Sequence, residues 1–286
     1  MSLLRHILRC NAHDPADYVP LYRGAVRVGL TRRDNAARLR AFPDVFAVAD
    51  ERVDLIAEGG FDALSEAVDA VLERLVVDGA VPKWRNEFFT VAPRWGAEPL
   101  FRVDRGAVPF FGVRGYGVHM NGFRRDGDSD GRLMLWIGRR APDKKVAPNR
   151  LDNLVAGGIG NGHGVFETLV KEGGEEADLP PALVRRATPV GAVLYRMAVP
   201  EGLRDDVLFL YDIELPADVT PRNTDGEIAE FRLFPATDVL RLVRETEEFK
   251  FNVNLVIIDF ALRHGLVGPD DPEYLDLVAG LRRPIG

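Results

Sequence analysis

A chain of 286 residues, 46% hydrophobic and 28% charged, is long enough for two ordinary domains and a sizeable core. Its net charge of -7, with no compensating basic stripe, argues against general nucleic-acid binding. A single cysteine, Cys10, excludes an intrachain disulfide and a cysteine-rich zinc site, and no apolar stretch approaches the length of a membrane span, so a cytoplasmic protein is expected.

In chain order, residues 3–10 read as a short helix closed by a polar turn. Residues 19–30 have a strand-like pattern around Gly24, a candidate hairpin. A helix is expected over 32–42, before the Phe42-Pro43 break, and a strand or two over 45–55. The clearest helix of this half is 61–78, with Leu64, Ala67, Val68, Val71, Leu72 and Leu75 in one stripe and Gly79 as its stop. Residues 84–91 form an aromatic strand, and 101–111 another that Pro109 ends or places at an edge. This α+β half has no metal constellation and no nucleophile with a partner base. Trp84, Phe88, Phe89 and Trp95 read first as core and second as a wall for a flat ring.

The second half begins near Gly112. A strand is expected over 116–124, a hairpin turn over 126–131 and a buried strand over 133–137. The turn's sequence, DGDSDG, lacks the glutamate and flanking helices of a calcium-binding EF-hand. The buried strand runs into Arg139, Arg140, Lys144 and Lys145, which suit either polyphosphate oxygens or a solvated loop. Residues 151–156 form the next strand. Strands at 190–197, 207–215 and 231–234 and helices at 237–246, 251–264 and 271–281 follow, with Asp225, Glu227 and Glu230 on a loop.

Between them lies GGIGNGHGVFETLVKEGGEEADL, residues 157–179. After the glycines, Phe166, Leu169, Val170, Gly173 and Ala177 share one helix face, and Glu172, Glu175 and Glu176 share another. Like charges so close weaken a helix by a few tenths of a kcal/mol. A hard divalent cation removes that repulsion, and carboxylate oxygens are what Mg²⁺ prefers. A dinucleotide-binding loop does not fit, because His163 stands where its third glycine belongs.

This spacing resembles the Nudix hydrolase signature: Gly, five residues, Glu, seven residues, Arg-Glu, apolar, any, Glu-Glu, any, Gly, apolar. Gly157 matches the first glycine and Glu172, Glu175 and Glu176 match the family's metal-binding glutamates. His163 replaces the first Glu, Lys171 replaces Arg, and Asp178-Leu179 stands at Gly-apolar. In the family that first Glu partners the Arg, and a Glu167–Lys171 pair is expected to take over here. His163 is expected to cap the helix or face solvent, and Gly173-Gly174 to admit the preceding loop.

The segments WIGRRAPDKK, LDNLVAGGI, FETLVKE, DGEIAEF and FKFNVNLVIIDF, with LLRHILRCNAH, KWRNEFFTV and FFGVRGYGVHMNGF, resemble one Nudix subfamily. Its members carry a long N-terminal domain of unassigned function, and some are fused or related to thiamine pyrophosphokinase. The resemblance implies an α/β fold, the Nudix α/β/α sandwich with a mixed sheet (113–286), preceded by a smaller α+β domain (1–112) that is a possible substrate-site wall. It implies Mg²⁺- or Mn²⁺-dependent hydrolysis of a small-molecule diphosphate, with thiamine diphosphate-like compounds, including oxidised ones, as suggested substrates. Glu172, Glu175 and Glu176 would hold the metal, and Glu175 or Glu227 would act as general base. Arg139, Lys144 and Asn153 are the candidate substrate-binding residues. Isopentenyl-diphosphate isomerase shares the fold but needs a core cysteine, and with Cys10 expected outside the catalytic domain it is set aside. The alternative that remains is a Nudix-like module that only binds a nucleotide or metabolite.

Overall fold

The computed structural model describes residues 1–82, 84–126, 131–144 and 146–282. Most of the turn expected at 126–131, and Lys145 of the basic run, lie outside the described residues. In the first body, β1 (Tyr18–Arg23) and β2 (Val26–Arg32) form the hairpin expected around Gly24. After α2 (Arg33–Leu39), β3 (Phe46–Ala49) and β4 (Arg52–Leu55) complete a sheet of order β2-β1-β4-β3. Helix α3 (Phe61–Val77) buries Leu64, Val68, Val71, Leu72 and Leu75 of the stripe its periodicity predicts, with Ala67 only partly covered. β5 (Phe88–Val91) and β6 (Phe101–Asp104) pair as a separate antiparallel ribbon.

The strand expected to run on to residue 111 stops at Asp104. The Asp104 Oδ1 accepts the Gly106 N–H at 2.8 Å and starts a helical turn instead. Pro109 sits early in α4 (Val108–Phe111), where its fixed φ is pre-set and its missing N–H costs nothing. Gly112 ends that turn with φ +57°. A Cβ there would stand 1.9 Å from the Leu30 carbonyl oxygen, so only glycine lets the chain pass this close to β2.

The second body is built on a mixed sheet of order β11-β12-β7-β8-β13, with β10 paired to β7 and β9 to β8. Its strands are β7 (Arg114–Asp126), β8 (Arg132–Arg140), β9 (Leu151–Asp152), β10 (Val155–Gly158), β11 (Thr188–Val199), β12 (Gly202–Glu214) and β13 (Ile228–Pro235). β12 runs parallel to β7, and β8 and β10 antiparallel to it. Strand alternation sends Val118, Met120, Tyr211 and Ile213 to one face, under α5 (Val165–Ala177) and α6 (Pro181–Val184). Leu135, Ile137, Leu208 and Leu210 go to the other, under α7 (Ala236–Glu245), α8 (Val253–Arg263) and α9 (Tyr274–Gly280). The result is the expected α/β/α sandwich with a mixed sheet.

Helix α1 (Leu4–Cys10) does not belong with the residues that follow it. Leu3, Ile7 and Cys10 are buried in the core of the second body, against its C-terminal helices. Gly280 lets Ile7 in: a Cβ there would lie 2.7 Å from Ile7 Cγ2. A seven-residue helix cannot bury its stripe alone, and the groove beside α9 and β11 supplies the missing face.

Candidate active site

The acidic helix α5 starts from the glycine loop 157–164. Gly164 is its N-cap, with an extended backbone. The Gly164 N–H donates to Glu167 Oε2 at 3.2 Å, and His163 Nδ1 lies 3.3 Å from Glu167 Oε1. Glu167 therefore closes the first turn and does not pair with Lys171. The N–H groups of a helix's first turn have no partner within the helix, and they claim the nearest carboxylate. Lys171 turns the other way, donating to Glu175 at 2.6 Å and to Glu172 at 3.4 Å. His163 is half exposed at the helix start, as expected.

The mid-helix glycines act differently from expectation. A Cβ on Gly173 would stand 2.8 Å from Val184, so this glycine admits α6, not the preceding loop. Gly174 faces open space. It is Gly157 that brings loop and helix together: its Cβ would fall 2.3 Å from Glu172 Cγ. At the far end Asp178 takes φ +54°, and its N–H and that of Leu179 close back on Gly174 and Gly173. A left-handed cap is the physical reason a glycine is expected there, and Asp is among the residues that tolerate it.

Glu176 is buried, and its Oε2 accepts the Ala156 N–H at 2.7 Å. Burial raises its carboxyl well above the ordinary range, and Asp152, Glu172 and Glu227 add to this. Burial likewise raises Glu172, with Lys171 opposing and Glu175 and Glu227 adding. Glu175 is exposed beside Lys171. The loop carrying Glu227 is tied to α5 through Arg222 N–H to Ala177 O and Thr224 Oγ1 to Glu175 O. Lys144 meets Glu227 at 2.6 Å. Among the described residues no three His, Cys, Asp or Glu side chains already surround one point. The donor chemistry still fits a hard cation: carboxylates that raise one another's pKa are short of positive charge, and all their donors are oxygens.

Beside this cluster lies a cleft of about 200 Å³. Gly157, Gly158 and Glu227 line it toward the acidic helix; Arg140, Arg204 and Lys250 bring positive charge, and Glu201 and Asp206, the latter paired with Arg204, bring negative charge. Arg140 and Lys250 both lean on the buried Asp152, at 2.9 and 3.4 Å. The first body supplies Phe89 and Arg105. β5 also grips the glycine loop: Phe88 O accepts the Asn161 N–H at 2.6 Å, and Thr90 Oγ1 donates to Asn161 Oδ1 at 2.7 Å. A Cβ on Gly158 would lie 2.6 Å from Phe89 Cζ.

The structure thus brings Glu172, Glu175, Glu176 and Glu227 together, with Lys144 at their edge. It does not bring Arg139 to the cleft. That guanidinium is held by Glu230 at 3.4 Å and by Asn149 O at 2.9 Å, while its neighbour Arg140 lines the cleft. Asn153 is buried behind His119 and hydrogen-bonds it, so it does not face the cleft either. Trp84 packs by Phe88, and Trp95 lies on Tyr116 and Phe209 with centroids at 4.6 and 4.8 Å. Neither tryptophan lines the cleft; Phe89 does. Sequence reasoning missed His119, Arg204 and Lys250; it placed Arg140 in the basic run but chose its neighbour Arg139 for the substrate.

Cys10 lies within the second body, not outside it, and donates its Sγ–H to Phe251 O at 3.5 Å. Burial pushes its thiol up to about 12, so it is no thiolate nucleophile at neutral pH. Cys10 is also buried in the core and does not line the cleft, which is the ground for setting aside a cysteine-dependent isomerase.

Residues 117–253 match the NUDIX domain, and the class this defines is that of the pyrophosphohydrolases. Residues 2–115 match a family described as Domain of unknown function (DUF4743). Nudix hydrolase 24, chloroplastic, of Arabidopsis thaliana is 40% identical over 286 residues, covering 98% of this chain and 78% of that protein. Nudix hydrolase 20, chloroplastic, of the same plant is 39% identical, covering 96% and 76%. The crystal structure of DR0079 from Deinococcus radiodurans is 21% identical, covers 60% of this chain and 97% of that one, and has a TM-score of 0.47. The chain belongs to the Nudix hydrolase family.

Proposed function

We propose that this enzyme hydrolyses the phosphoanhydride bond of a small organic diphosphate, using Mg²⁺ or Mn²⁺ held by Glu172, Glu175 and Glu176. The observation that carries the reading is that the acidic helix and a cation-lined cleft share one wall, Gly157-Gly158. The cation, when bound, would neutralise charge on the phosphate oxygens. Arg140 and Lys250, with Lys144 at the edge, hold the phosphates by charge. Glu227 faces the cleft and takes the proton from the attacking water; Glu175, beside Lys171, is the second candidate.

Phe89 offers a face for a flat ring at the end built by the first body. That supports a ring-bearing diphosphate, with thiamine diphosphate or its oxidised forms as the particular candidates and the monophosphate as product. The subfamily resemblance, including its thiamine pyrophosphokinase connection, points the same way. The division of labour between residues 1–112 and 113–286 is part of this proposal, as is a cytoplasmic location; both plant relatives are named chloroplastic. No helix among the described residues is long and apolar enough to cross a membrane.

The test is a panel of diphosphates assayed for monophosphate release with Mg²⁺ and after exhaustive chelation. Release should require the metal and be fastest for ring-bearing diphosphates. Full activity without metal would sink the mechanism. Tight binding with no release would mark a binding module instead.

A further inference from the structure

On the face of β7 that lines the cleft, Gly115 and Gly117 make room for Asp206 Oδ1 and the Gly157 carbonyl oxygen, and His119 is the first side chain of that strand face. His119 is 3% exposed, and its Nδ1 lies 2.8 Å from Asn153 Oδ1. The direction of that bond is fixed from behind. Asp212 is bound by Arg263 and His264; burial alone would raise its carboxyl, but these hydrogen bonds outweigh burial and keep it ionised. A carboxylate only accepts. Asn121 must then point its Nδ2 at Asp212, at 3.0 Å, and its Oδ1 is left to accept from Asn153 Nδ2, at 2.8 Å. Asn153 in turn faces the imidazole with its oxygen, so Nδ1 carries the proton.

Burial, with Lys250 and Arg140 close by, lowers the His119 pKa to about 4, so the ring is neutral at pH 7. A neutral imidazole has one N–H. Nε2 is therefore a bare lone pair, and no protein donor among the described residues meets it. A metal is a poor partner for it, because Lys250 and Arg140 beside the ring oppose another positive charge.

We infer that His119 is a specificity residue whose Nε2 accepts a hydrogen bond from an amino or hydroxyl group of the substrate, beside the cations that take its phosphates. This deepens the proposed reading and rests on it. A site built to pair with a donor rejects an analogue lacking it, because the acceptor is left buried and unpaired.

Two measurements on the intact protein test it. Long-range ¹H–¹⁵N spectra, with His119→Gln to assign the ring, should show a protonated Nδ1 and a bare Nε2 between pH 6 and pH 8. A protonated Nε2 overturns the inference whatever the substrate. Calorimetric titration without divalent cation should then compare thiamine diphosphate with an analogue whose ring amino group is replaced by methyl. The wild type should prefer the amino compound by about ten-fold or more. His119→Phe should level the two, and His119→Gln, which keeps an acceptor, should restore part of the difference. A preference unchanged in His119→Phe overturns the contact and leaves the hydrolase reading intact. Amino-selective binding with no monophosphate release under Mg²⁺ overturns the hydrolase reading and upholds the contact.

Discussion

Glu176 and Glu175 make the sharpest contrast between neighbouring side chains. Glu176 is buried on a backbone N–H, and Glu175 is exposed on a lysine. Glu→Gln at either removes a hard oxygen charge and keeps the shape, so kcat should fall about 10²-fold or more in both. Their stabilities should differ. Glu176→Gln relieves a buried acid and keeps an acceptor for Ala156, so the metal-free melting temperature should hold or rise. Glu175→Gln should cost only the few tenths of a kcal/mol of an exposed pair. Kinetics and thermal melts on both variants check this; near-normal turnover in both would reduce α5 to a solvated helix. Gly157→Ala is the complementary change. Its Cβ would stand 2.3 Å from Glu172 Cγ and push that side chain aside, so metal affinity should drop at least ten-fold while the fold survives, as read by metal titration.

At the scale of the element, α5 couples stability to pH. The folded-state carboxyls of Glu172 and Glu176 are raised, mainly by burial. Their contribution to stability is full below the ordinary carboxylate pKa and is lost as pH rises through the raised values. The metal-free melting temperature should therefore fall from mildly acidic to neutral pH, more steeply than in a Glu172→Gln/Glu176→Gln double variant. Mg²⁺ binds the ionised form, so the stabilisation it gives should grow over the same range. Melts with chelator and with Mg²⁺ test this, and a metal-induced shift equal at all pH values would contradict it.

Across the whole molecule, the first body touches the glycine loop and reaches the cleft. β5 holds the glycine loop and Phe89 stands in the cleft. Phe89→Ala should raise KM for a ring-bearing diphosphate about ten-fold more than for a simple alkyl diphosphate, with kcat little changed. Equal effects on both would make Phe89 a packing residue. A chain started near residue 112 loses this prop and also α1, whose Leu3, Ile7 and Cys10 fill the core of the second body. It should be unstable as well as inactive, because losing buried side chains of that size costs several kcal/mol. A cooperative thermal melt close to that of the intact chain would refute this.

The sequence alone determined what depends on local spacing. The stripe of α3, the acidic face at Glu172, Glu175 and Glu176 and the hairpin at Gly24 were legible, because helix and strand periods act within a few residues; the sandwich was implied by the family resemblance. Only the tertiary structure decided which cations serve the cleft. Arg139 and Arg140 are adjacent in sequence, yet one is held by Glu230 and the other lines the cleft with Lys250 from far along the chain. Only it chose Glu175 as the partner of Lys171, where sequence spacing allowed Glu167 equally well. Only it put α1 beside α9, and Asp212, Asn121 and Asn153 in a line behind His119. Each of these is a pairing between distant segments, set by how the sheet stacks and which faces are left to cover, and no local pattern records it.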